Sequence, residues 1–474
     1  MKDYLNNFYS FHLDFIHQFK SVEYKGIPLP LLFRIENFLT RCNLIQELYD
    51  PQFNNHLTVK INDKSEVQKR YDVILNNIDN HQNNKANVKN NAKLLLFDFV
   101  LHASSFVKRL DSKRIIVINQ NNWNEKLGLS EFNNKPLKER LTFKAKEIFN
   151  GFDSHPIYSN KAFQQMVLNF IPNLVDNLAT IDRFFSRMPI SCVLTGTTTD
   201  TMSRVLTLVA KLYGIPSLCL QHGLFGIEEQ YMPVLATKNC VLGEYEKDWY
   251  LARGAGPGRI EITGHPRHDR IFARNVQGES RLRQSLRLDP RKKTMLILTQ
   301  PSTQVEPLNK FISYISQRTS FQIFIKAHPH EYANKTLHKY NSLFNNSKSL
   351  NLIPQGTNLY HLIPSMDLII VASDSTAGLE AMLFEKAAVL FLKNQQDRPF
   401  DFYDDMGKFI SSDPYAVAAL AIQLEKDRCV QKIEYENKRY EFISKRYPRK
   451  QSGQEIIKLI NILTGTNYTN GFHT

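Results

Sequence analysis

At 474 residues the chain is longer than one hydrophobic core holds, since single cores stop growing near about 250 to 300 residues, so two domains are expected. Apolar residues at 42% and charged residues at 22% exclude a collagen-like or largely disordered chain. The formal charge of +14 calls for an anionic partner, and of nucleic acid, anionic lipid and phosphorylated substrate the first ranks last, because no zinc-ligand spacing, aromatic RNA-binding signature or heptad-linked basic region accompanies the charge.

The chain opens Met1-Lys2-Asp3-Tyr4, with an early acid and no apolar run or small-residue cleavage site, which argues against a signal peptide. Nowhere do about 18 consecutive apolar residues occur, so no spanning helix is expected, and the protein is assigned to the cytoplasm. Cys42, Cys192, Cys219, Cys240 and Cys429 are scattered and mostly lie in apolar runs, as reduced core cysteines do. Residues 1–90 read as a helical extension ending in the Asn-rich stretch 76–91, expected to be a mobile surface segment.

From there strands alternate with helices. Strand 94–99, helix 102–110, strand 115–118 and a long amphipathic helix 161–187 are followed by strand 191–194, helix 201–213, strand 217–220, strand 240–242, helix 244–253 and strand 259–262. The basic segment 266–293, punctuated by Gly and Pro, reads as a connection between domains plus one helix. A second alternation comprises strand 294–299, helix 306–318, strand 322–326, helix 337–344, strand 350–353, helix 359–363, strand 368–371, helix 376–384 and strand 388–392. The resulting fold class is α/β, with two doubly wound parallel sheets. The domains are drawn at 1–90 (helical extension), 91–272 (first sheet), 273–445 (second sheet) and 446–474 (a C-terminal helix crossing back to the first domain).

In such sheets ligands bind beyond the carboxyl ends of the strands. Four strand-ending loops are unusually polar there: Gln221-His222-Gly223, Thr263-Gly264-His265-Pro266-Arg267-His268-Asp269, Lys326-Ala327-His328-Pro329-His330-Glu331, and Ser373-Asp374-Ser375-Thr376-Ala377-Gly378-Leu379-Glu380. In the last, small hydroxyl residues lead straight into a helix whose first turn offers N–H groups and a positive dipole end, a seat for a diphosphate. Glu380, one turn beyond Thr376, suits a ribose 2′,3′-diol; the alternative is a helix capped by Ser373 or Ser375 with Glu380 solvated. Pro329 biases His328 toward extended backbone, aiming its imidazole at a phosphate oxygen. His222, beside a glycine that permits close approach, is the candidate general base, although a histidine in a turn is more often structural. Asp404-Asp405 reads as a solvated loop rather than a metal site. Two basic concentrations, 267–293 and 438–450, the second interleaved with Tyr440, Phe442 and Tyr447, suit either an anionic membrane or a solvated helix face.

Over roughly residues 190–392 these features resemble the GT-B glycosyltransferase superfamily, in particular bacterial surface-polysaccharide and capsule transferases, CDP-glycerol glycerophosphotransferases and UDP-N-acetylglucosamine 2-epimerases. The resemblance is carried by Gly214-Ile215-Pro216 running into Leu220-Gln221-His222-Gly223, by Gly243-Glu244, Gly254 and Ile262 through Asp269, by His328-Pro329, and by Ser373 through Ala381. It implies two Rossmann-like domains facing across a cleft, with His328, Pro329, Lys326 and Ser373, Asp374, Ser375 and Thr376 at the donor phosphates and Glu380 at the ribose. His222 becomes the catalytic base, with Gln221, Gly223, Gly264, His265, Arg267, His268 and Asp269 as cleft residues. The implied activity is metal-independent transfer from a CMP-, CDP- or UDP-linked sugar, which is a substrate rather than a cofactor, to a surface-polysaccharide or lipid-linked acceptor, peripherally at the inner face of the plasma membrane. Gln221-His222-Gly223-Leu224-Phe225 departs from the Trp-His-Gly-Thr-Pro of the glycerophosphotransferases, and Ser375-Thr376 from the epimerases' double glycine. Both departures favour a sugar transferase over those two alternatives.

Overall fold

Short aliphatic runs build two parallel sheets. In the computed structural model, which describes residues 2–78, 92–97, 104–119, 134–273, 276–346, 350–393, 398–426 and 429–469, the chain groups into two units. One holds Met1–His222, Ile227–Arg267 and Gln451–Thr474; the other holds Gly223–Gly226 and His268–Lys450.

In the first unit, helix α1 (Lys2–Gln18) buries Phe8, Phe11 and Phe15. The rings of Phe11 and Phe15 lie 6.2 and 5.9 Å from Phe163 on the long helix α2 (Lys161–Arg187), so the N-terminal segment is packed onto the first unit through an aromatic cluster. Buried Asp14 secures that packing, accepting from Thr58 N at 2.8 Å and Tyr158 Oη at 2.9 Å. Helix α3 (Thr201–Leu212) carries buried Arg204, which donates to the carbonyls of Thr198 and Phe33, each at 2.9 Å. The sheet comprises β1 (Lys93–Phe97), β2 (Ile115–Ile118), β3 (Ile190–Thr195), β4 (Ser217–Leu220), β5 (Lys238–Val241) and β6 (Ile260–Ile262), in the order β2-β1-β3-β4-β5-β6. Cys192, Cys219 and Cys240 sit buried on three adjacent strands, and burial pushes their thiols up; Cys42 and Cys429 are only half-buried.

The second unit's sheet contains β7 (Thr294–Leu298), β8 (Gln322–Lys326), β9 (Leu350–Leu352), β10 (Leu368–Val371), β11 (Ala387–Phe391) and β12 (Ile410–Ser411), all parallel. Numbered by appearance, its strands lie third, second, first, fourth, fifth, sixth, the order of dinucleotide-binding sheets. The helices that position the site are α4 (Pro329–Ala333), α5 (Thr376–Leu383) and α6 (Val430–Arg446). The last helix, α7 (Ser452–Thr464), returns to the first sheet, where Ile456 and Ile460 pack with Leu94, Leu194 and Leu220.

Several expectations are corrected. The helix expected at 102–110 is one turn, Ser104–Val107, among its described residues, and residues 98–103 lie outside the description. Most of the Asn-rich stretch, 79–91, lies outside it too. Residues 337–344 form a 3-10 turn, Thr336–Tyr340, followed by helix Asn341–Asn346, because the apolar residues Leu337, Tyr340 and Leu343 recur every third position, the period of the tighter helix. The short strand β12 went unrecognised. Along α6 the basic residues are largely paired within the fold: Lys438 and Lys445 with Glu441, Arg439 with Glu436, Arg446 with Asp405. Phe442 and Tyr447 are core residues, leaving Tyr440 alone of the three aromatics on the surface. No helix among the described residues is long and apolar enough to cross a membrane.

Candidate nucleotide-binding site of the second unit

The second sheet reverses its strand order between β7 and β10, and the loops at that point define the site. Lys326 at the end of β8 and Val371 at the end of β10 are both in register with Leu298 of β7. The loops to His328 and Ser373 therefore leave the sheet at one level, on either side of β7 and about 10 Å apart at two strand spacings. The loop after β7 ties to both. Thr299 Oγ1 donates to Glu331 Oε2 at 2.8 Å, and Thr303 Oγ1 donates to the Ala372 carbonyl at 3.1 Å.

His328 is the N-cap of α4, with Pro329 at the first helical position. Its Nδ1 accepts from His330 N at 3.2 Å, so the neutral ring carries its proton on Nε2 and presents a donor there. Burial, reinforced by neighbouring His330, lowers the His328 pKa and favours that neutral form. Glu331, fully buried, closes the cap by accepting from His328 N at 2.8 Å. It also accepts from Tyr340 Oη at 2.7 Å and Lys339 Nζ at 2.8 Å. Burial alone would raise its carboxyl, but these donors outweigh it and hold the pKa below the ordinary carboxylate range. Lys326 is half-buried, which lowers its pKa.

At the other loop Ser375 is the N-cap of α5, accepting from Ala377 N at 3.2 Å through its hydroxyl and from Gly378 N at 3.1 Å through its carbonyl. With Leu379 N also engaged, by Tyr403, three of the four N-terminal donors expected to face a diphosphate are taken, narrowing that seat to the Ser375-Thr376 end and its dipole. Tyr403 braces the turn: its hydroxyl donates to the Ser375 carbonyl and accepts from Leu379 N at 2.9 Å. This close approach accounts for Gly378, where a Cβ would stand 2.8 Å from Tyr403 Oη. Glu380 is not solvated. It is buried, with His268 Nε2 at 3.3 Å and Tyr360 Oη at 3.2 Å from Oε1. Asp374 is at the surface, paired with Arg398 at 3.4 Å.

The loop 263–269 divides between the two units. Gly264 adopts a positive φ of 68°, and buried His265 accepts from Arg267 N at 3.1 Å, a structural turn in the first unit. His268 and Asp269 are buried in the second unit, where His268 meets Glu380. Gln221 is tied within the first unit: its amide donates to buried Glu246 at 3.1 Å and its Oε1 accepts from Leu242 N at 3.3 Å. A Cβ at Gly223 would meet nothing within 4 Å. His222 Nδ1 lies 3.0 Å from the Gly196 carbonyl, so it is the protonated nitrogen, and Nε2 of the neutral ring carries the lone pair a general base needs.

Sequence reasoning missed Glu331 as an anchor, the loop at Gln300 to Gln304, and the set Tyr360, Arg398, Tyr403 and Asp404. Asp404, read as solvated, receives Arg398. Only the His328-to-Glu331 spacing of a capping box signalled any of this.

No family model and no curated protein matches the sequence. The fold does match solved structures. MnaA from S. aureus, solved with UDP, superposes with a TM-score of 0.52 at 13% identity over 80% of this chain and all of the other, 100%. A UDP-GlcNAc 2-epimerase from Neisseria meningitidis bound to UDP-GlcNAc (TM-score 0.49, 14% identity, 78% and 99% of the two chains) and a glycosyltransferase from Rickettsia africae (0.49, 10%, 79% and 99%) are also similar. The chain thus has the GT-B type of fold, two Rossmann-like parallel-sheet domains.

Proposed function

We propose that this protein is a metal-independent glycosyltransferase that moves a sugar from a nucleotide-activated donor to a surface-polysaccharide or lipid-linked glycan. The observation that carries the reading is the pair of loops leaving one level of the second sheet at its reversal point, with a neutral His328 donor on one and the start of α5 on the other. A nucleotide diphosphate suits that spacing, with Glu380 toward the ribose. As the bond from the anomeric carbon to the phosphate oxygen breaks, charge gathers on the departing phosphate, where the positive end of α5 and the His328 Nε2–H stabilise it. His222, held by Gly196 O in the tautomer with Nε2 unprotonated, takes the proton of the acceptor hydroxyl. UDP ranks first among UDP-, CDP- and CMP-linked donors, since similar folds were solved with UDP or UDP-GlcNAc. A cytoplasmic location at the inner membrane face suits a lipid-linked acceptor.

Because an epimerase is among those similar folds, acceptor-independent epimerisation is the second reading, and glycerophosphate transfer from CDP-glycerol the third. Thermal-shift titration with CMP, CDP, UDP and GDP tests the site: a ligand at 100 times its dissociation constant stabilises by about 2.7 kcal/mol, and one nucleotide should stand out. With that donor, His222→Ala should cut transfer by roughly 10²- to 10⁴-fold at unchanged donor affinity. Release of free sugar or its epimer without acceptor would favour the second reading, and full transfer by His222→Ala would remove the base assignment.

A further inference from the structure

The N-terminal segment of the first unit builds a hairpin, Glu23–Tyr24 paired with Ile27–Pro28, whose turn at Lys25-Gly26 uses left-handed backbone at both positions, φ 47° and 82°. A cavity opens on each side of it, of about 730 Å³ and 1080 Å³, and Glu23 and Lys25 line both. The smaller lies between α1 and helix Val67–Asn76, which contribute Leu13 and Ile16 from one side and Val73 and Ile74 from the other, with Pro28 and Val59 completing an aliphatic wall. The larger lies between helix Lys135–Phe149 and α2. Ser186 and Tyr213 in its wall stand just before β3 and β4 begin, so this face is at the end of the sheet opposite the one from which residues 221–223 emerge.

Charge and shape define the partner. Lys20, Lys25, Arg70, Arg140, Lys144 and Arg183 line the two cavities against the acids Glu23, Glu147 and Asp182. Asp182 is satisfied internally, accepting from Lys25 Nζ at 2.7 Å, Tyr24 Oη at 2.8 Å and Tyr213 Oη at 2.8 Å. Arg140 and Lys144, one helical turn apart on the same face, repel each other and form no ion pair among the described residues, whereas Lys138 of the same helix is bridged to Asp176 at 3.0 Å. Beside these cations two large apolar side chains stand in solvent, Phe143 at 64% and Val73 at 62% exposure. Cations around exposed apolar groups match anionic headgroups above hydrocarbon, and an aliphatic cavity of this volume takes a chain, which neither a nucleic acid nor a free anion would fill. The basic run 438–450, by contrast, is largely paired within the fold. We propose that this face of the first unit binds an anionic membrane lipid, with one hydrocarbon chain in the smaller cavity, the headgroup at its Lys20 and Lys25 rim, and Arg140, Lys144 and Phe143 on the surrounding leaflet. This rests on the membrane-side location proposed above and not on the donor reading.

Co-sedimentation with vesicles of phosphatidylcholine alone and of phosphatidylcholine mixed with phosphatidylglycerol tests it. Wild type should bind the anionic vesicles about tenfold or more tightly than the neutral ones. Arg140→Gln combined with Lys144→Gln should lose roughly thirtyfold, since each cation near an anionic surface contributes about fivefold, while Lys292→Gln with Lys426→Gln, an equal change of charge on exposed residues elsewhere, should stay within about twofold. Ile74→Trp separates a chain cavity from a flat contact: filling the cavity should weaken anionic binding about tenfold, whereas a tryptophan added to an open membrane-facing surface strengthens it. Val59→Trp makes the same test if Ile74→Trp does not fold. Equal binding of the two vesicles, no binding of either, equal loss in the two charge variants, or unchanged or tighter binding by the tryptophan variant would overturn the proposal. Affinity for CMP, CDP, UDP and GDP should be the same in every variant, so a wild type that binds vesicles and none of these nucleotides would remove the donor reading and leave the lipid site standing.

Discussion

Two glutamates, each within a helix that follows a polar strand-ending loop, have opposite fates. Glu331 is the third residue of α4; that position turns its carboxylate back on the cap, where four donors hold it as an anion. Glu380, the fifth residue of α5, has passed the cap and points away from the loop, toward His268 and Tyr360. A carboxylate so thoroughly engaged is an architectural anchor, whereas one held by a histidine and a phenol can exchange partners with ligand hydroxyls. The difference comes from two residues of helical phase.

The sharpest way to break this contrast is to remove both carboxylates in turn. Glu331→Ala leaves Thr299 Oγ1, Tyr340 Oη and His328 N without their acceptor and should destabilise the protein by about 3 kcal/mol or more, since each buried donor left unsatisfied costs about 1 to 3 kcal/mol. Glu380→Gln should unfold at nearly the wild-type denaturant concentration while losing nucleoside affinity; similar stability losses in the two would erase the distinction. The pH dependence adds a signature. Since the folded pKa of Glu331 lies below its unfolded value of about 4.3, its contribution is complete above that pH and is lost as pH falls through the folded pKa. The stability gap between wild type and Glu331→Gln, read from urea unfolding, should therefore close toward acid pH.

A smaller effect is expected at Gly378. An added Cβ would approach Tyr403 Oη to 2.8 Å and Leu390 Cδ2 to 3.1 Å, so Gly378→Ala should cost about 1 to 3 kcal/mol of stability. Combining it with Tyr403→Phe should recover part of that loss in thermal denaturation; no recovery would show that the brace is not the cause. The smallest effect falls on His328→Ala, where loss of one phosphate donor should weaken nucleotide binding by about tenfold, roughly 1.4 kcal/mol, with the fold intact. Calorimetric affinity unchanged in that variant would take His328 out of the site.

The alternation of strands and helices was legible in the chain because each buried strand is a short aliphatic run and each connection is polar. For the same reason the loops at His222, His328 and Ser373 could be found, as reactive side chains placed directly after such runs. Boundaries blurred where a different local period applied, as at Leu337, Tyr340 and Leu343. The partners of the candidate residues were another matter. His268 reaches Glu380 although the sequence places it in a loop of the first domain, and Arg398 is fixed by Asp374 and Asp404 from two separate loops. Tyr403 explains Gly378 from outside its helix.

By itself, then, the sequence determined the α/β class, the two parallel sheets and the strand ends where polar loops emerge, since these follow from residue size, hydropathy and spacing along a few turns of chain. Only the tertiary structure decided that Glu380 is held by a histidine and a phenol, and that Ser373 and Arg398 share one cavity. Those outcomes depend on contacts between residues far apart in the chain, and the burial that makes an unpaired donor costly exists only once the strands have assembled.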